Sequence, residues 1–205
     1  MKTAKHEAII DAAESLIAQR GFAKVAVAEI ARAAGLARAT VYLHFRGKAE
    51  IGLACQDRAH GRLLDILRAL MSCELTAAER LRRMLVRRVL FALDEAQKVS
   101  VKFDDMYAAI RPQYMIRRER YLDNEAALFL RVLKEAQRSG ELVVENAPLT
   151  ALALVLSTNS LMPFSLNARQ LKARNEVEQR AEKIADLVLN GLRPPGRRRI
   201  ARVKG

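Results

Sequence analysis

Apolar residues recur along most of this chain at the three- and four-residue spacing of an amphipathic helix. Between Ala4 and Arg20 they fall at positions 9, 13, 16 and 17, and Gly21 follows where a helix commonly ends. The same spacing continues to about Gly191, and glycines and prolines mostly lie between the periodic segments. The pattern predicts an all-helical fold.

The segment from 27 to 48 predicts two short helices separated by a glycine turn. Gly35 lies where the backbone often needs a positive φ, and Leu36 and Val41 can pack inward across the turn. The apolar stripe of the first helix comprises Val27, Ile30, Ala31 and Ala34. The second helix carries Arg38, Thr40, Tyr42 and His44 among small residues. Because its outer face is polar and thin, this helix suits a DNA major groove.

Six further helices are predicted downstream. Thr76 and Glu79 have the spacing of a capping box, as do Asn167 and Gln170. A short helix is expected to stop before Pro112, because proline disfavours helical geometry in the preceding residue. The predicted ranges are 48–71, 77 onward, 101–110, 113–139, 148–162 and 168–191.

The N-terminal segment resembles the TetR/AcrR family of transcriptional regulators over residues 5–52. The resemblance is carried by Gly21-Phe22, Val27-x-x-Ile30-Ala31, Ala34-Gly35-Leu36, Thr40-Val41-Tyr42-x-x-Phe45, Lys48 and Ile51. It implies an N-terminal three-helix DNA-binding domain at 1–47, with its helix-turn-helix at about 26–45. A C-terminal helical domain for effector binding and dimerisation would cover 48–192, followed by a basic tail at 193–205.

Three alanines depart from the family pattern. The family commonly has Ser or Thr near Ala26 and Ala37, where a hydroxyl caps each helix. Losing such a cap costs ~1 kcal/mol, so other contacts must offset it. Ala39 stands where the family often has glycine, and its small side chain still allows close approach to a duplex.

The charge of the chain supports a polyanionic partner only in part. The formal net charge is +13, but six of the basic residues lie in the tail after Leu192. Residues 1–50 carry eight basic and five acidic residues, a balance of only +3. The DNA prediction therefore rests on the motif. The tail either adds non-specific phosphate affinity or is a disordered, solubilising extension.

The predicted DNA contacts centre on the second helix of the motif. Arg38 could pair with guanine O6 and N7, although a solvated surface charge is the alternative. Tyr42 and His44 match family positions that usually contact phosphates; Tyr42 could instead pack beneath the helix. The full set comprises Lys24, Ala37, Arg38, Ala39, Thr40, Tyr42, His44 and Lys48.

An effector pocket is implied by the resemblance. An apolar cavity lined by aromatic side chains and a few polar groups would suit a small apolar molecule. The candidate lining residues are Met84, Phe91, Phe103, Met106, Tyr107, Tyr114, Tyr121 and Asn159. Core packing is the alternative for each, and Asn159 could also bond its symmetry mate.

The helix predicted at 148–162 is apolar around nearly its whole circumference, so it needs burial on all sides. Together with the last helix it predicts either an internal two-helix core or a four-helix dimer interface; the resemblance favours the dimer. The candidate interface comprises Leu152, Val155, Leu156, Val177, Ala181, Ile184 and Val188.

Other classes of function find little support in the sequence. Nucleotide-binding GxGxxG and GxxxxGK[ST] motifs, HExxH and GxSxG are all missing, so no enzyme activity, cofactor or metal is predicted. Cys55 and Cys73 form no recognisable framework and are expected to stay reduced. Acidic residues interrupt any early apolar run, and no confident membrane span is found, so a cytoplasmic protein is expected.

Together with these observations, the resemblance implies a dimeric repressor that binds a pseudo-palindromic operator in double-stranded DNA and leaves it when a small-molecule effector binds. Two alternatives stay open. One is a ligand-independent DNA-binding or architectural protein, and the other is a helical-bundle enzyme or carrier.

Overall fold

The computed structural model describes the backbone of residues 2–98 and 103–195, with side chains for 4–98 and 108–195. All regular structure in these ranges is helical, which confirms the predicted fold class. The helices are α1 Lys2–Arg20, α2 Val27–Ala33, α3 Arg38–His44, α4 Lys48–Met71, α5 Ala77–Lys98, α6 Phe103–Arg138, α7 Ala147–Ser157, α8 Ala168–Lys172 and α9 Arg174–Gly191. Short 3₁₀ turns occupy Phe22–Lys24, Asn159–Leu161 and Pro163–Ser165.

The described residues divide into two compact units. The first contains the chain up to Arg62 together with Asp94–Glu119, and the second contains Leu63–Leu93 and the residues from Arg120 onward. The helices α4, α5 and α6 therefore each have residues in both units. This division into compact units does not test the predicted domain boundaries at 47 and 192, which stay predictions.

The first unit is built around a core beneath α1, α2 and α3. A glycine at position 52 lets α4 pack closely here, since a Cβ would lie only 2.9 Å from Cε2 of Phe22 and 3.3 Å from Cγ2 of Ile110. The buried side chains include Ile9, Ala13, Ile17, Phe22, Val25, Ile30, Ala31, Val41, Phe45 and Ile51. They include apolar positions predicted for the first helix and for the helix-turn-helix, such as Ile9, Ile30 and Val41, so the periodicity of the sequence becomes the core.

The turn between α2 and α3 has the geometry that its glycine predicts. Gly35 has a φ of +67°, which L-residues with a side chain rarely adopt. The backbone N–H of Leu36 donates to Ala31 at 2.9 Å, and that of Gly35 donates to Arg32 at 3.1 Å. This pair of bonds is a Schellman motif, which satisfies the last carbonyls of α2 and redirects the chain into α3.

The second unit contains two clusters of buried side chains. The larger gathers apolar residues of α4, α5, α6, α7 and α9, and the smaller joins α5 to α9 and the 3₁₀ turn at Asn159–Leu161. A buried ion pair between Arg88 and Glu125 lies in this unit, and Thr158 accepts a hydrogen bond from Arg88 at 2.8 Å. Each buried charge therefore has a partner, as burial requires.

The predicted break at Pro112 is wrong. Helix α6 runs unbroken from Phe103 to Arg138 and includes Pro112, so the two predicted helices at 101–110 and 113–139 are one. Proline removes one N–H donor, the one that would pair with the carbonyl of Ala108. Both Ala108 and Pro112 are exposed, so water can satisfy that carbonyl. Buried Ile110 anchors this part of the helix. The predicted residues 101 and 102 lie outside the described residues.

Two predicted helix ranges near the C-terminus are also too long. Helix α7 ends at Ser157, because the hydroxyls of Ser157 and Thr158 donate back to carbonyls of α7 and Pro163 disfavours helical geometry just beyond. The predicted capping box of Asn167 and Gln170 is present, but it opens the five-residue α8. The helical geometry is interrupted at Ala173, and α9 begins at the next residue.

Candidate nucleic-acid interface

Helix α3 presents most of its side chains outward. Val41 is fully buried in the core of the first unit and fixes the rotation of the helix. Arg38, Ala39 and Tyr42 are exposed, whereas Thr40 and His44 are half-buried. Ala37, the residue before α3, is exposed as well. The helix that the sequence predicts to read DNA is thus accessible along its polar face.

Neither alanine at the helix starts can cap its helix with a side chain. Ala26 has no side-chain acceptor, but Oε2 of Glu29 accepts its backbone N–H at 2.9 Å. Arg20 in turn donates to Oε1 of Glu29 at 2.6 Å. The hydrogen bond from the Ala26 backbone is the main cause that lowers the pKa of the Glu29 carboxyl, and the bond from Arg20 lowers it further. At Ala37 no side-chain bond caps α3.

Arg38 and Tyr42 form a pair on the exposed face of α3. Nη2 of Arg38 donates to the Tyr42 hydroxyl at 3.2 Å, and the guanidinium carbon lies 5.5 Å from the centroid of the ring. The residues are four apart, so their side chains lie on the same side of the helix. Tyr42 is 44% exposed, so part of its ring is accessible to a partner, and its contact with a phosphate stays a prediction.

Lys48 has a structural role that the sequence did not predict. Its ammonium donates to the carbonyls of Phe22 at 3.0 Å and Ala23 at 3.2 Å, and it lies 4.7 Å from the centroid of the Phe22 ring. These contacts tie the start of α4 to the turn that precedes α2. Lys24 lies in that turn and is exposed. Phosphate binding by either lysine stays a prediction.

His44 lies in an aromatic cluster at the end of α3. The ring of His6 stacks on Phe45 with centroids 4.7 Å apart and meets His44 edge-on at 6.2 Å. All three side chains line a cleft of about 420 Å³. His44 is therefore held in place by α1, and its contact with a phosphate stays a prediction.

Leu43 is an exposed residue of α3 that the sequence analysis did not identify. Its side chain is 83% exposed, the largest fraction among the exposed large hydrophobic residues of the described chain. The helical spacing from Val41 contained this signal, because positions two residues apart point to nearly opposite sides of a helix.

The predicted effector residues are spread over both units. Met84 and Phe91 are buried in the larger core of the second unit, and Tyr121 of the same unit is also buried. Tyr114 is half-buried and belongs to the first unit. The amide oxygen of Asn159 accepts a hydrogen bond from Arg88 at 3.0 Å. The side chains of Phe103, Met106 and Tyr107 lie outside the described residues. The pocket stays a prediction.

The predicted dimer residues differ in accessibility. Val155, Val177 and Ala181 are fully covered within the single chain, so their burial needs no second copy. The accessible members are Leu152, Leu156, Ile184 and Val188. Leu149 and Leu187, which the sequence prediction left out, are 63% and 61% exposed. Part of the apolar surface of α7 and α9 thus stays uncovered in one copy.

Cys55 and Cys73 are both free cysteines. Burial, reinforced by Glu14, raises the pKa of the Cys55 thiol to about 12. That thiol is protonated at neutral pH and has little nucleophilic character. Among the described residues, no helix combines the length and apolarity that a membrane crossing requires. The basic residues Arg197, Arg198, Arg199, Arg202 and Lys204 lie outside the described residues.

Comparison with known proteins agrees with this geometry. The family model for bacterial regulatory proteins of the tetR family matches residues 9–55. The chain is 31% identical over 156 residues to the HTH-type transcriptional repressor BepR of Brucella suis, covering 74% of this chain and 75% of BepR.

Solved structures share the fold. A transcriptional regulator from Cytophaga hutchinsonii superposes with a TM-score of 0.74 at 18% identity, covering 92% of this chain and 98% of that one. The regulator FadR from Bacillus subtilis in complex with stearoyl-CoA gives 0.59 at 18% identity, covering 91% and 98%. With the polar face of α3 exposed and a curated relative that is named a transcriptional repressor, the chain belongs to the TetR family and is a DNA-binding transcriptional regulator.

Proposed function

We propose that two copies of this chain bind a pseudo-palindromic operator as a dimer and repress transcription until a small apolar effector releases them. The observation that carries the proposal is the orientation of α3, whose buried Val41 turns Arg38, Ala39 and Tyr42 outward. Residues 1–47 bind DNA in this proposal, residues 48–192 bind the effector and dimerise, and residues 193–205 form the tail.

The proposed contacts follow from the chemistry of each side chain. Arg38 pairs with guanine, because its guanidinium matches the O6 and N7 acceptors in the major groove. Tyr42 and His44 bond phosphates and fix the register of the helix, and Thr40 contacts either a phosphate or a thymine methyl. Small Ala37 and Ala39 allow close approach to the duplex, and Lys24 and Lys48 add phosphate contacts.

The uncovered apolar surface of α7 and α9 supports the dimer. Leu149 and Leu156 lie seven residues apart on one face of α7, and Leu187 is exposed on α9. A dimer would remove these side chains from water and place two recognition helices ~34–36 Å apart, one turn of B-DNA. Leu156→Arg should therefore yield a monomer by analytical ultracentrifugation, whereas Val143→Arg, at an exposed valine in the loop between α6 and α7, should leave the dimer intact.

Effector release requires a ligand that prefers the DNA-free conformation, since equal affinity for both states shifts nothing. Helix α4, which has residues in both compact units, is the proposed element that couples the effector to α3. A coupling of ~1–3 kcal/mol changes operator affinity about 5–150-fold. The chain acts by binding alone in this proposal, without turnover of the effector.

Selection of bound fragments from genomic DNA by the full chain, followed by footprinting, tests DNA recognition. The expected result is a two-fold symmetric site with protected major grooves about 10 bp apart. Release is then tested with a panel of apolar small molecules and, separately, with the amphipathic stearoyl-CoA, because the Bacillus subtilis neighbour holds it. Bound fragments without a shared sequence and a steep salt dependence would instead favour an architectural protein.

A further inference from the structure

The outermost strip of α3 is apolar. Val41 points into the core, and the residues two positions before and after it, Ala39 and Leu43, lie about 160° away around the helix. Both are exposed, and they are four residues apart, so their side chains are neighbours on one face. The part of α3 that projects furthest from the core is therefore a leucine beside an alanine.

Polar residues border this strip on both sides. The hydrogen-bonded pair of Arg38 and Tyr42 lies on one side, and Thr40 and His44 lie on the other. The sequence of α3 contains no acidic residue, so its charge suits a polyanion. Leu43 is thus an aliphatic side chain on the outermost face of α3, between two rows of hydrogen-bonding side chains. When α3 enters a groove, this face would lie against the base edges at the floor of the groove.

We propose that Leu43, with Ala39 beside it, contacts the 5-methyl group of thymine and makes the protein select thymine at one position of each half-site. This inference rests on the proposed function. The thymine methyl is the only apolar group that a base pair offers in the major groove. A leucine over the amino group of cytosine or adenine would remove that donor from water without giving it a partner, which penalises those bases.

Uracil provides a probe that removes the methyl alone. The operator selected by the full-length protein is remade with each thymine of a half-site replaced in turn by deoxyuridine, and affinity is measured at one fixed salt concentration. Transfer of one methyl-sized group predicts about fourfold weaker binding at the thymine that Leu43 contacts. This scan needs no variant, so folding does not affect it.

The Leu43→Ala variant assigns the effect to this side chain. Its preference for the thymine operator over the uracil operator at that position should fall well below fourfold, to what the remaining Ala39 contact supplies. Ile116→Ala, which shortens a similarly exposed aliphatic side chain in α6, should retain the fourfold difference of the wild type. Circular dichroism melting confirms that both variants fold.

Two results would overturn the inference while leaving the proposed function intact. One is specific operator binding with no thymine sensitive to uracil in the half-site, including a half-site that lacks thymine. The other is a uracil effect of equal size in the wild type and Leu43→Ala. A protein that selects no sequence at all would instead overturn the proposed function itself.

Discussion

Oε2 of Glu29 accepts the backbone N–H of Ala26 at 2.9 Å, so the third residue of α2 satisfies the donor of the residue that precedes the helix. Half of a capping box is thereby kept: Glu29 reaches back to the N-cap residue, but Ala26 has no hydroxyl to offer in return.

Restoring the other half of the box should stabilise the protein. Ala26→Ser adds an acceptor for the free N–H groups of α2, and we expect the free energy of unfolding to rise by about 0.5–1 kcal/mol. Urea unfolding at neutral pH measures the change. Ala23→Ser, at an exposed position in the preceding 3₁₀ turn, is the matched control and should change little. No gain at position 26 would mean that Glu29 already satisfies the helix start.

Glu141 should make the free energy of unfolding depend on pH in the acid range. Burial alone would raise its pKa, but backbone N–H groups of Ala78 and Ala77, at 3.0 and 3.2 Å, and the hydroxyl of Ser139 outweigh burial and lower it. A lowered pKa means that the stabilisation is present above about 4.5, the ordinary pKa of glutamate, and is lost as pH falls through the folded-state value.

Glu141→Gln should therefore lower the free energy of unfolding by about 0.3–1 kcal/mol at neutral pH, the range for a carboxylate at a helix N-terminus. The difference from the wild type should shrink as pH falls below about 4.5, which urea unfolding at a series of pH values measures. A difference that stays constant down to acid pH would contradict an electrostatic role for this carboxylate.

The sequence predicted the helix-turn-helix well because each of its features is local. The stripe around Ile30, the glycine at 35 and the apolar contact of Val41 all act within a few residues, and the observed α2 and α3 match the prediction. The predicted break at Pro112 and the predicted unbroken helix at 168–191 were wrong, because local propensity does not show that Ile110 is buried or that the helix is interrupted at Ala173.

Side-chain partners distant in sequence were beyond prediction as well. Lys48 reaches carbonyls more than twenty residues earlier, and Arg88 contacts Asn159 from another helix. No periodic pattern in the sequence encodes such pairings. Leu43 differs from these, since counting from Val41 would have placed it outward.

The buried pair of Arg88 and Glu125 should be costly to break. Burial raises the pKa of Glu125 against the pull of Arg88, so the carboxylate depends on that partner for its charge. Glu125→Gln leaves the guanidinium without its counter-charge and should lower the free energy of unfolding by about 3–5 kcal/mol. Urea unfolding measures this.

Two further variants separate this cost from a general effect of lost charge. Replacing both partners, by Arg88→Met with Glu125→Leu, should recover much of the loss, because no uncompensated charge stays buried. Arg83→Ala, which breaks the exposed pair with Glu79, should cost at most about 0.5 kcal/mol. A double variant as unstable as Glu125→Gln would contradict the argument.

Lys48 is expected to act in both stability and binding. Lys48→Met removes the bonds to Phe22 and Ala23, so we expect a loss of about 1 kcal/mol in the free energy of unfolding. Affinity should fall alike on operator and random DNA, and the slope of log K against log salt should fall by about 0.9 if the ammonium also contacts one phosphate. Lys24→Met is the control: it should reduce the salt slope and leave stability unchanged. A loss of stability with an unaltered salt slope would mean that Lys48 stabilises the turn at Phe22–Lys24 and contacts no phosphate.

Arg38 should contribute to specificity more than to overall affinity. Loss of one bidentate contact to guanine costs about 1–3 kcal/mol of discrimination, so Arg38→Ala should weaken operator binding about 5–150-fold. Binding to random DNA should fall far less, since no guanine contact of that kind is formed there. Tyr42→Phe removes the hydroxyl that accepts from Arg38 at 3.2 Å and keeps the ring beneath the guanidinium, so its effect on specificity should be smaller. Fluorescence anisotropy on both DNAs at one salt concentration measures the three proteins. Equal losses on operator and random DNA for Arg38→Ala would show that the arginine contacts only phosphate.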